Sequence, residues 1–303
     1  MNGPAESSGS GPTRPPGGET FPGPRPTGSL PAAAPWFSVT MTVRNNEETI
    51  ERCLASILDQ LGADGEAVVV VDTRSTDRTR EILERLARAD PRLVVEAAEA
   101  SRGVGRNRAV ARARGEIVLT QIDGDNLYAS GVLGTTARAT RDDPETDVTF
   151  AIGLEDWDPS TTRFYAWRRE AFARAGGYPN RQEQDDPPLL LGAFRHGLSV
   201  RRLALPRVAH DLKPRPPRSA ASVGPWGRYR HSIAAARRFR VLGFRWPEFL
   251  RFLGLTRRTT VRFAAGVVVA TIGYAVGAVC RDGSEQLTPA FGPPPAPQGR
   301  LRR

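Results

Sequence analysis

Two apolar stretches of the chain each run directly into acidic residues. Residues 67–71 end at Asp72, and residues 117–122 end at Asp123 and Asp125, which a single glycine separates. Both stretches are short and rich in β-branched residues, so they predict buried strands. Their acids would lie at the carboxyl edge of a parallel sheet, where open α/β sheets bind ligands. Hard carboxylate oxygens beside a phosphate site suit Mg²⁺ or Mn²⁺.

A polar loop would also explain the acids that follow residues 117–122, if they are taken alone. The acid on a second strand end, Asp72, favours a ligand site, because both strand ends can converge between the two halves of a doubly wound sheet. A further pair, Asp185 and Asp186, precedes an apolar helical stretch that ends near Gly197. By position alone, this pair could simply cap that helix.

Strand-like and helix-like segments alternate around these acids. Apolar residues recur at helical spacing in residues 47–61 and 79–86. They alternate with polar residues at 37–43 and fill a short run at 93–95, and both patterns predict strands. Residues 103–114 predict a third helix. This alternation predicts an α/β fold with a mostly parallel, doubly wound sheet. Polar residues predict the caps of the first two helices, with Asn45 or Asn46 for one and Ser75 or Thr76 for the other.

Composition divides the chain into five parts. Residues 1–35 are rich in Pro, Gly and Ser and predict a disordered tail, and residues 281–303 predict a second one. The α/β domain occupies residues 36–215. Residues 216–262 interleave aromatic residues with arginines and predict basic amphipathic helices. Residues 263–280 carry no charge and predict an apolar helix.

The apolar helix is the candidate membrane anchor. Its 18 residues reach about 27 Å, slightly less than the ~30 Å hydrocarbon core of a bilayer. Arg257, Arg258 and Arg262 precede it, so a span would keep the α/β domain at the cytoplasmic face of the membrane. The alternatives are a helix in the membrane interface and a soluble helix that caps the sheet.

Charge is distributed unevenly along the chain. Residues 36–194 carry 20 arginines against 27 acidic residues, a net of −7, whereas residues 195–262 carry 17 basic against two acidic residues, a net of +15. A basic segment suits an anionic membrane surface or nucleic acid. The start of the chain lacks the pattern of a signal peptide. The two cysteines, Cys53 and Cys280, support neither a disulfide framework nor a zinc cluster.

The motifs, in their order, resemble those of a family 2 glycosyltransferase. They are residues 43–48 (Val-Arg-Asn-Asn-Glu-Glu), residues 69–79 (Val-Val-Val-Asp-Thr-Arg-Ser-Thr-Asp-Arg-Thr), residues 106–117, which begin with Arg-Asn, and the Asp-Gly-Asp triplet at 123–125. The resemblance implies a GT-A fold over residues 36–215. It also implies a nucleotide-sugar donor and inversion at the anomeric carbon, as in a hexosyltransferase.

The same resemblance assigns roles in donor binding. Asp72 would contact the nucleotide base or ribose, and Asn45 and Glu47 would lie in the loop that wraps the nucleotide. Arg106 would complete the nucleotide pocket. Asp123 would bind both the donor and a metal.

The resemblance also implies a metal site and a catalytic base. Asp123 and Asp125 correspond to the DxD motif that holds a divalent metal and the diphosphate, and His210 is a candidate third ligand. Asp186 would be the base that takes the acceptor proton, with Asp185 as its orienting neighbour or as the base itself.

Two positions depart from the family pattern. Many members have two consecutive acids after the second strand, whereas this chain has Thr73 and then Arg74 in place of glycine. The later acid pair has Asp185 where the family has Glu, and two prolines, Pro187 and Pro188, follow it. Recognition of the base, and the choice between the two neighbouring acids, are therefore left open by the sequence.

The leading hypothesis is a metal-dependent, membrane-associated glycosyltransferase that acts on a lipid-linked or cell-envelope glycan acceptor, with no nucleic-acid partner. The alternative is a non-catalytic protein that binds an anionic surface or nucleic acid through its basic segment and retains a degenerate transferase domain. A nucleotidyltransferase ranks lower, because no glycine-rich basic loop follows the first strand.

Overall fold

The fold was analysed in a computed structural model that describes residues 34–153, 163–180, 186–213, 245–248 and 250–251. The strands are β1 (Phe37–Val43), β2 (Gly65–Asp72), β3 (Leu93–Ala98), β4 (Ile117–Ile122), β5 (Asn126–Tyr128), β6 (Val148–Gly153), β7 (Arg163–Arg168), β8 (Val200–Leu205) and β9 (Ala209–Asp211). The helices are α1 (Ile50–Leu61), α2 (Thr79–Ala89), α3 (Arg102–Arg112), α4 (Val132–Arg141), α5 (Arg169–Arg174) and α6 (Asp186–Arg195).

Seven of the strands form one sheet in the order β3-β2-β1-β4-β7-β6-β8. The strands from β3 to β4 are parallel, β7 runs antiparallel to both of its neighbours, and β8 is parallel to β6. The predicted α/β class and mostly parallel sheet are therefore confirmed. Two short strands, β5 and β9, pair separately in an antiparallel ribbon.

Hydrophobic residues fill both faces of the large sheet. In β2, Val68 and Val70 face one core cluster, whereas Val69 and Val71 face the other. All four are fully buried, which explains why this strand is apolar throughout rather than alternating. Burial of such a side chain contributes about 1.5–3 kcal/mol. The central strands therefore supply a rigid base for the loops at their carboxyl ends.

The predicted caps of α1 and α2 are wrong. Thr49 occupies the first position before α1 and makes no capping bond through its side chain. At the start of α2, the carboxylate of Asp77 accepts the N–H of Thr79 at 3.0 Å. Asn45 instead bonds to the loop that precedes α2: its side-chain oxygen accepts the N–H of Thr76 at 2.9 Å.

The described portion of the basic segment is residues 245–248 and 250–251, of which 246–248 and 250–251 are helical. Trp246 packs against the core cluster that contains α6 residues. Glu248 accepts hydrogen bonds from Arg195 of α6 and from Arg245. These contacts attach the segment to the α/β domain.

Within the described ranges, no helix is long and apolar enough to cross a membrane. The predicted apolar helix at 263–280 lies outside those ranges. Nearly all of both predicted tails and most of the basic segment at 216–262 also lie outside them.

Candidate functional site

Three adjacent strands bring the predicted donor-site residues to one edge of the sheet. Asn45 follows β1, Asp72 ends β2, and Asp123 follows β4. Because β2, β1 and β4 are parallel neighbours, their carboxyl ends lie side by side. The edge predicted from the spacing of acids along the chain is therefore present in the fold.

Asp72 is buried and held by Arg74. Asp72 is 4% exposed. The guanidinium of Arg74 donates to its carboxylate, from Nε to Oδ1 at 3.0 Å and from Nη2 to Oδ2 at 2.8 Å. The hydrogen bonds from the Arg74 side chain hold the pKa of Asp72 below its usual value, against the opposing effect of burial. Asp72 is therefore an anion at neutral pH. The arginine that departs from the family pattern is its main partner.

The loops after β1 and β2 are joined by reciprocal hydrogen bonds. Besides the bond from Thr76 to Asn45, the N–H of Arg78 donates to Glu47 Oε2 at 3.0 Å. The N–H of Glu47 in turn donates to Asp77 Oδ2 at 3.0 Å. Two predicted donor-binding residues, Asn45 and Glu47, thus join the two loops. These hydrogen bonds give both residues a structural role.

Arg106 lies at the end of β4 although it comes from α3. It is 2% exposed, and its Nη2 donates to Asp123 Oδ1 at 2.9 Å. Its Nη1 donates to Gln121 Oε1 at 2.6 Å, and its guanidinium carbon lies 5.3 Å from the centre of the Tyr178 ring. The next residue, Asn107, exchanges two hydrogen bonds with the backbone of Tyr178. The Arg-Asn dipeptide therefore connects α3, β4 and the turn before residue 180.

We refer to residues 123–125 as the acidic turn. The N–H of its first residue donates to Tyr128 Oη at 2.9 Å. The carbonyl of its glycine accepts from Thr49 Oγ1 at 3.0 Å, and the carbonyl of its last residue accepts from the N–H of Leu212 at 2.7 Å. Contacts from the residue before α1, from β5 and from the chain after β9 thus fix the backbone of the turn.

The carboxylates of the acidic turn remain accessible to a ligand. The Asp123 side chain is 46% exposed, and Asp125 is partly exposed. Among the residues that the structure describes, no three His, Cys, Asp or Glu side chains are grouped as a ready metal site. His210 lies in β9 opposite Leu127 of β5, and its Nε2 is 3.0 Å from Arg207 Nη1.

The two candidate bases are only partly placed. Asp186 is the first residue of α6, so its backbone position at a helix start agrees with the sequence. Asp185 and the side chain of Asp186 lie outside the described residues. Their roles as base and orienting residue stay predictions.

Sequence reasoning did not identify three residues that shape this edge. Gln121 accepts a hydrogen bond from Arg106, and Tyr128 accepts one from the backbone of the acidic turn. Arg74 donates hydrogen bonds to the Asp72 carboxylate. Only Arg74 gave a signal in the sequence, because it replaces a glycine of the family pattern. The contacts of Gln121 and Tyr128 depend on the course of the backbone after β4, which residue types do not reveal.

A comparison with protein families agrees with this geometry. The sequence model of the family described as glycosyl transferase family 2 matches residues 38–205, more than half of the chain. The chain belongs to glycosyl transferase family 2. The match covers the sheet from β1 to β8 and helices α1 to α6, so it includes each strand end described above.

Known proteins resemble this family 2 member over different lengths. An uncharacterized protein of Mycobacterium tuberculosis is 35% identical over 123 residues, which span 41% of this chain and 38% of that protein. A mannosyltransferase from Pyrobaculum calidifontis, solved with GDP-mannose and Mn²⁺, aligns with a TM-score of 0.54 and 20% identity over 82% of this chain and 76% of its own. The TarS structure from S. aureus, residues 1–349, aligns with a TM-score of 0.49 and 20% identity over 80% of each chain. The mannosyltransferase shares the fold of this family 2 domain.

Proposed function

We propose that this protein transfers a sugar from a nucleoside-diphosphate donor to an acceptor hydroxyl, by an inverting displacement. The observation that carries the proposal is the edge formed by the carboxyl ends of β2, β1 and β4, which carries Asp72 on β2 and the Arg106–Asp123 pair with Asp125 after β4. Nucleotide ligands bind at such an edge in open α/β sheets. The partly exposed carboxylate of Asp123 would bind the counter-ion of a diphosphate, and the buried guanidinium of Arg106 beside it would supply positive charge for the diphosphate.

The acidic turn fits a divalent metal. It offers two hard carboxylates, and Mg²⁺-type sites commonly use one or two carboxylates with the remaining positions filled by substrate phosphates and water. A cluster of three protein ligands is therefore not required. Asp123 and Asp125 would hold the metal, with His210 as a further candidate. When bound, the metal would supply stabilisation of the negative charge on the leaving diphosphate. The Pyrobaculum mannosyltransferase, which has the same fold, was solved with Mn²⁺ and GDP-mannose, and the proposal extends that pairing to this chain.

The protein itself would supply three further functions. Asp72, kept ionised by Arg74, lies on the strand end assigned to the base or ribose. Arg106 fixes Asp123 and adds positive charge beside the diphosphate position. Asp186, or its neighbour Asp185, would accept the proton that the acceptor hydroxyl loses as it attacks.

The acceptor is proposed from the remainder of the chain. The basic, aromatic-rich residues 216–262 and the uncharged residues 263–280 suit attachment to an anionic membrane. We therefore assign the α/β domain to the cytoplasmic face of a membrane. The acceptor would be a lipid-linked or cell-envelope glycan.

The test is a thermal-shift panel of nucleoside diphosphates and nucleotide sugars, with and without Mn²⁺, on the full chain. The proposal expects one nucleotide class to raise the melting temperature, and Mn²⁺ to increase that shift, because a ligand that binds only the folded state stabilises it. No shift with any nucleotide, together with tight and salt-sensitive binding of nucleic acid, would instead support the non-catalytic alternative.

A further inference from the structure

Gln121 has an unusual backbone conformation for its position in a strand. It lies in β4 with φ at 65°, and Asn45 is the other non-glycine residue with positive φ in the described part of the chain. An L-residue in this left-handed region costs about 1–2 kcal/mol. Such a conformation persists where the surrounding structure over-determines it, and it is concentrated at functional sites. Both of these residues lie at the candidate edge.

A β-bulge accounts for the conformation. Val39 pairs with Leu119, but Met41 pairs with Ile122, so two steps along β1 correspond to three along β4. Leu119 and Ile122 consequently belong to the same core cluster, although residues three apart in a regular strand face opposite sides. Bulges of this kind often re-aim a side chain next to an active site. Here the extra residue turns the carboxamide of Gln121 toward α3.

The carboxamide oxygen of Gln121 accepts from two donors there. Arg106 Nη1 donates at 2.6 Å, and Tyr178 Oη donates at 3.4 Å. The other guanidinium terminus of Arg106 donates to Asp123. Gln121 thus holds one end of a buried guanidinium while the opposite end holds the first acid of the acidic turn.

The neutral charge of Gln121 also matters. A carboxylate at this position would compete with Asp123 for the guanidinium and would add negative charge beside the proposed diphosphate position. A carboxamide orients Arg106 without either effect. We infer that Gln121 is a positioning residue, whose carboxamide orients Arg106 so that Asp123 is held ready for the donor diphosphate. This inference rests on the proposed function.

A set of variants of the full chain tests this role. Gln121→Met keeps the length of the side chain and removes the acceptor, whereas Gln121→Gly removes the side chain and also relieves the positive φ. The probe is the nucleoside diphosphate that stabilises the wild-type protein, titrated with Mn²⁺ by calorimetry. Both variants should weaken its binding by about tenfold or more, the loss expected when a buried polar partner is left unpaired. Wild-type affinity in Gln121→Gly would overturn the inference, because the carboxamide would then be dispensable.

A double-mutant cycle with Arg106→Met separates positioning from a general loss of packing. If Gln121 acts through Arg106, Gln121→Met should add little to the loss that Arg106→Met already causes. Fully additive losses would overturn the inference. Thr140→Val is the matched control, since the buried Thr140 hydroxyl of α4 donates to Thr149 Oγ1 of β6 at 2.8 Å, away from the edge. It should lower the melting temperature without ligand and leave nucleotide affinity within twofold.

The two proposals fail in different ways. If the wild-type protein binds no nucleoside diphosphate with Mn²⁺, the proposed function is wrong and the role of Gln121 is overturned with it. If the wild-type protein binds and Gln121→Met binds equally well, only the role of Gln121 is overturned.

Discussion

At the scale of single residues, the candidate edge pairs each of its buried charges with a partner. Asp72 is held by Arg74, and Arg106 is held by Asp123 and Gln121. Leaving one member of a buried pair alone costs more than removing both. Substitutions here should therefore change both stability and ligand binding, and the two effects must be measured separately.

Arg74→Met should destabilise the protein at pH 7, because the buried Asp72 carboxylate loses its main partner, although the 40% exposure of the Arg74 side chain limits the effect. Arg74 lowers the pKa of Asp72, so its stabilising effect is fully present above the unfolded pKa of an aspartate. The effect is lost as the pH falls through the lower folded pKa. Urea unfolding from pH 7 to pH 3 should therefore show the variant and the wild type converging below about pH 4.

Arg80→Met is the matched control for that experiment. Arg80 is exposed and pairs with Glu84 one turn along α2, a contact worth about 0.3–0.5 kcal/mol. Equal stability of Arg74→Met and Arg80→Met at pH 7 would contradict the importance of the Asp72–Arg74 pair.

Asp125→Asn and Asp186→Asn should separate donor binding from chemistry. The first should remove the Mn²⁺-dependent part of nucleotide stabilisation, because one carboxylate ligand is lost. The second should leave that stabilisation intact and reduce sugar transfer by about 10²–10⁴-fold, the usual contribution of a general base. Melting curves and transfer assays on both proteins measure this.

Asp142→Asn serves as the control for both variants, since Asp142 is exposed at the end of α4. It should behave as wild type. Substantial transfer by either purified site variant would show that the corresponding assignment is wrong.

At the scale of secondary-structure elements, α3 carries Arg106 to the edge and must pack closely on β1. A Cβ added at Gly105 would lie 2.9 Å from Thr42 Cβ and even closer to the Thr42 hydroxyl. The absence of a side chain at Gly105 thus sets the distance between helix and strand, and it places the next residue in the site.

Gly105→Ala should therefore destabilise the protein by about 1–2 kcal/mol, because overpacking outweighs the gain in helix propensity. It should also weaken nucleotide binding by displacing Arg106. Gly134→Ala is the control within α4, since the nearest atom to its Cβ would be Arg138 Nη1 at 3.6 Å. Chemical denaturation should show Gly134→Ala to be as stable as wild type or up to about 1 kcal/mol more stable. The opposite order would contradict this account of the α3–β1 contact.

The elements of the front half were predictable because their patterns are local. The apolar run of β2 and the helical stripe of α1 specify their structures directly, and the acids at two strand ends specify an edge. The bulge at Gln121 and the bond from Tyr128 to the acidic turn were not predictable, since they depend on register between distant strands. The caps were predicted wrongly because Asn45 forms a hydrogen bond across to the neighbouring loop instead of to its own helix.

At the scale of the whole molecule, an acidic front part and a basic rear part share one chain. In the basic segment at 216–262, the described residues are 245–248 and 250–251. Glu248 contacts α6 through its hydrogen bond with Arg195, and Trp246 packs against the core cluster that contains α6 residues. Because α6 begins at Asp186, the basic segment attaches to the helix that carries the candidate base. Membrane attachment and the catalytic edge would then be linked through one helix.

The full chain should bind vesicles that contain anionic lipid and should bind neutral phosphatidylcholine vesicles weakly. The reason is that clustered arginines contribute about 1 kcal/mol each near an anionic surface. Co-sedimentation should fall steeply as NaCl rises, because salt screens that attraction. A truncated chain that ends at residue 251 should bind much less. Equal binding to both vesicle types would contradict membrane attachment through the basic segment.

The thiol of Cys53 has a consequence for chemical reactivity. It is fully buried in α1, its Sγ donates to the carbonyl of Asp123 at 3.5 Å, and burial raises its pKa well above the usual value. The reactive form of a cysteine is the thiolate, so this cysteine can react with an alkylating reagent only after the packing around α1 and the acidic turn has opened. In a chain that has Cys280 replaced by serine, the rate of alkylation would therefore measure how often this region opens. The alkylation rate thus reports on local opening near the site, and it can be measured without knowing the sugar, the nucleotide or the acceptor.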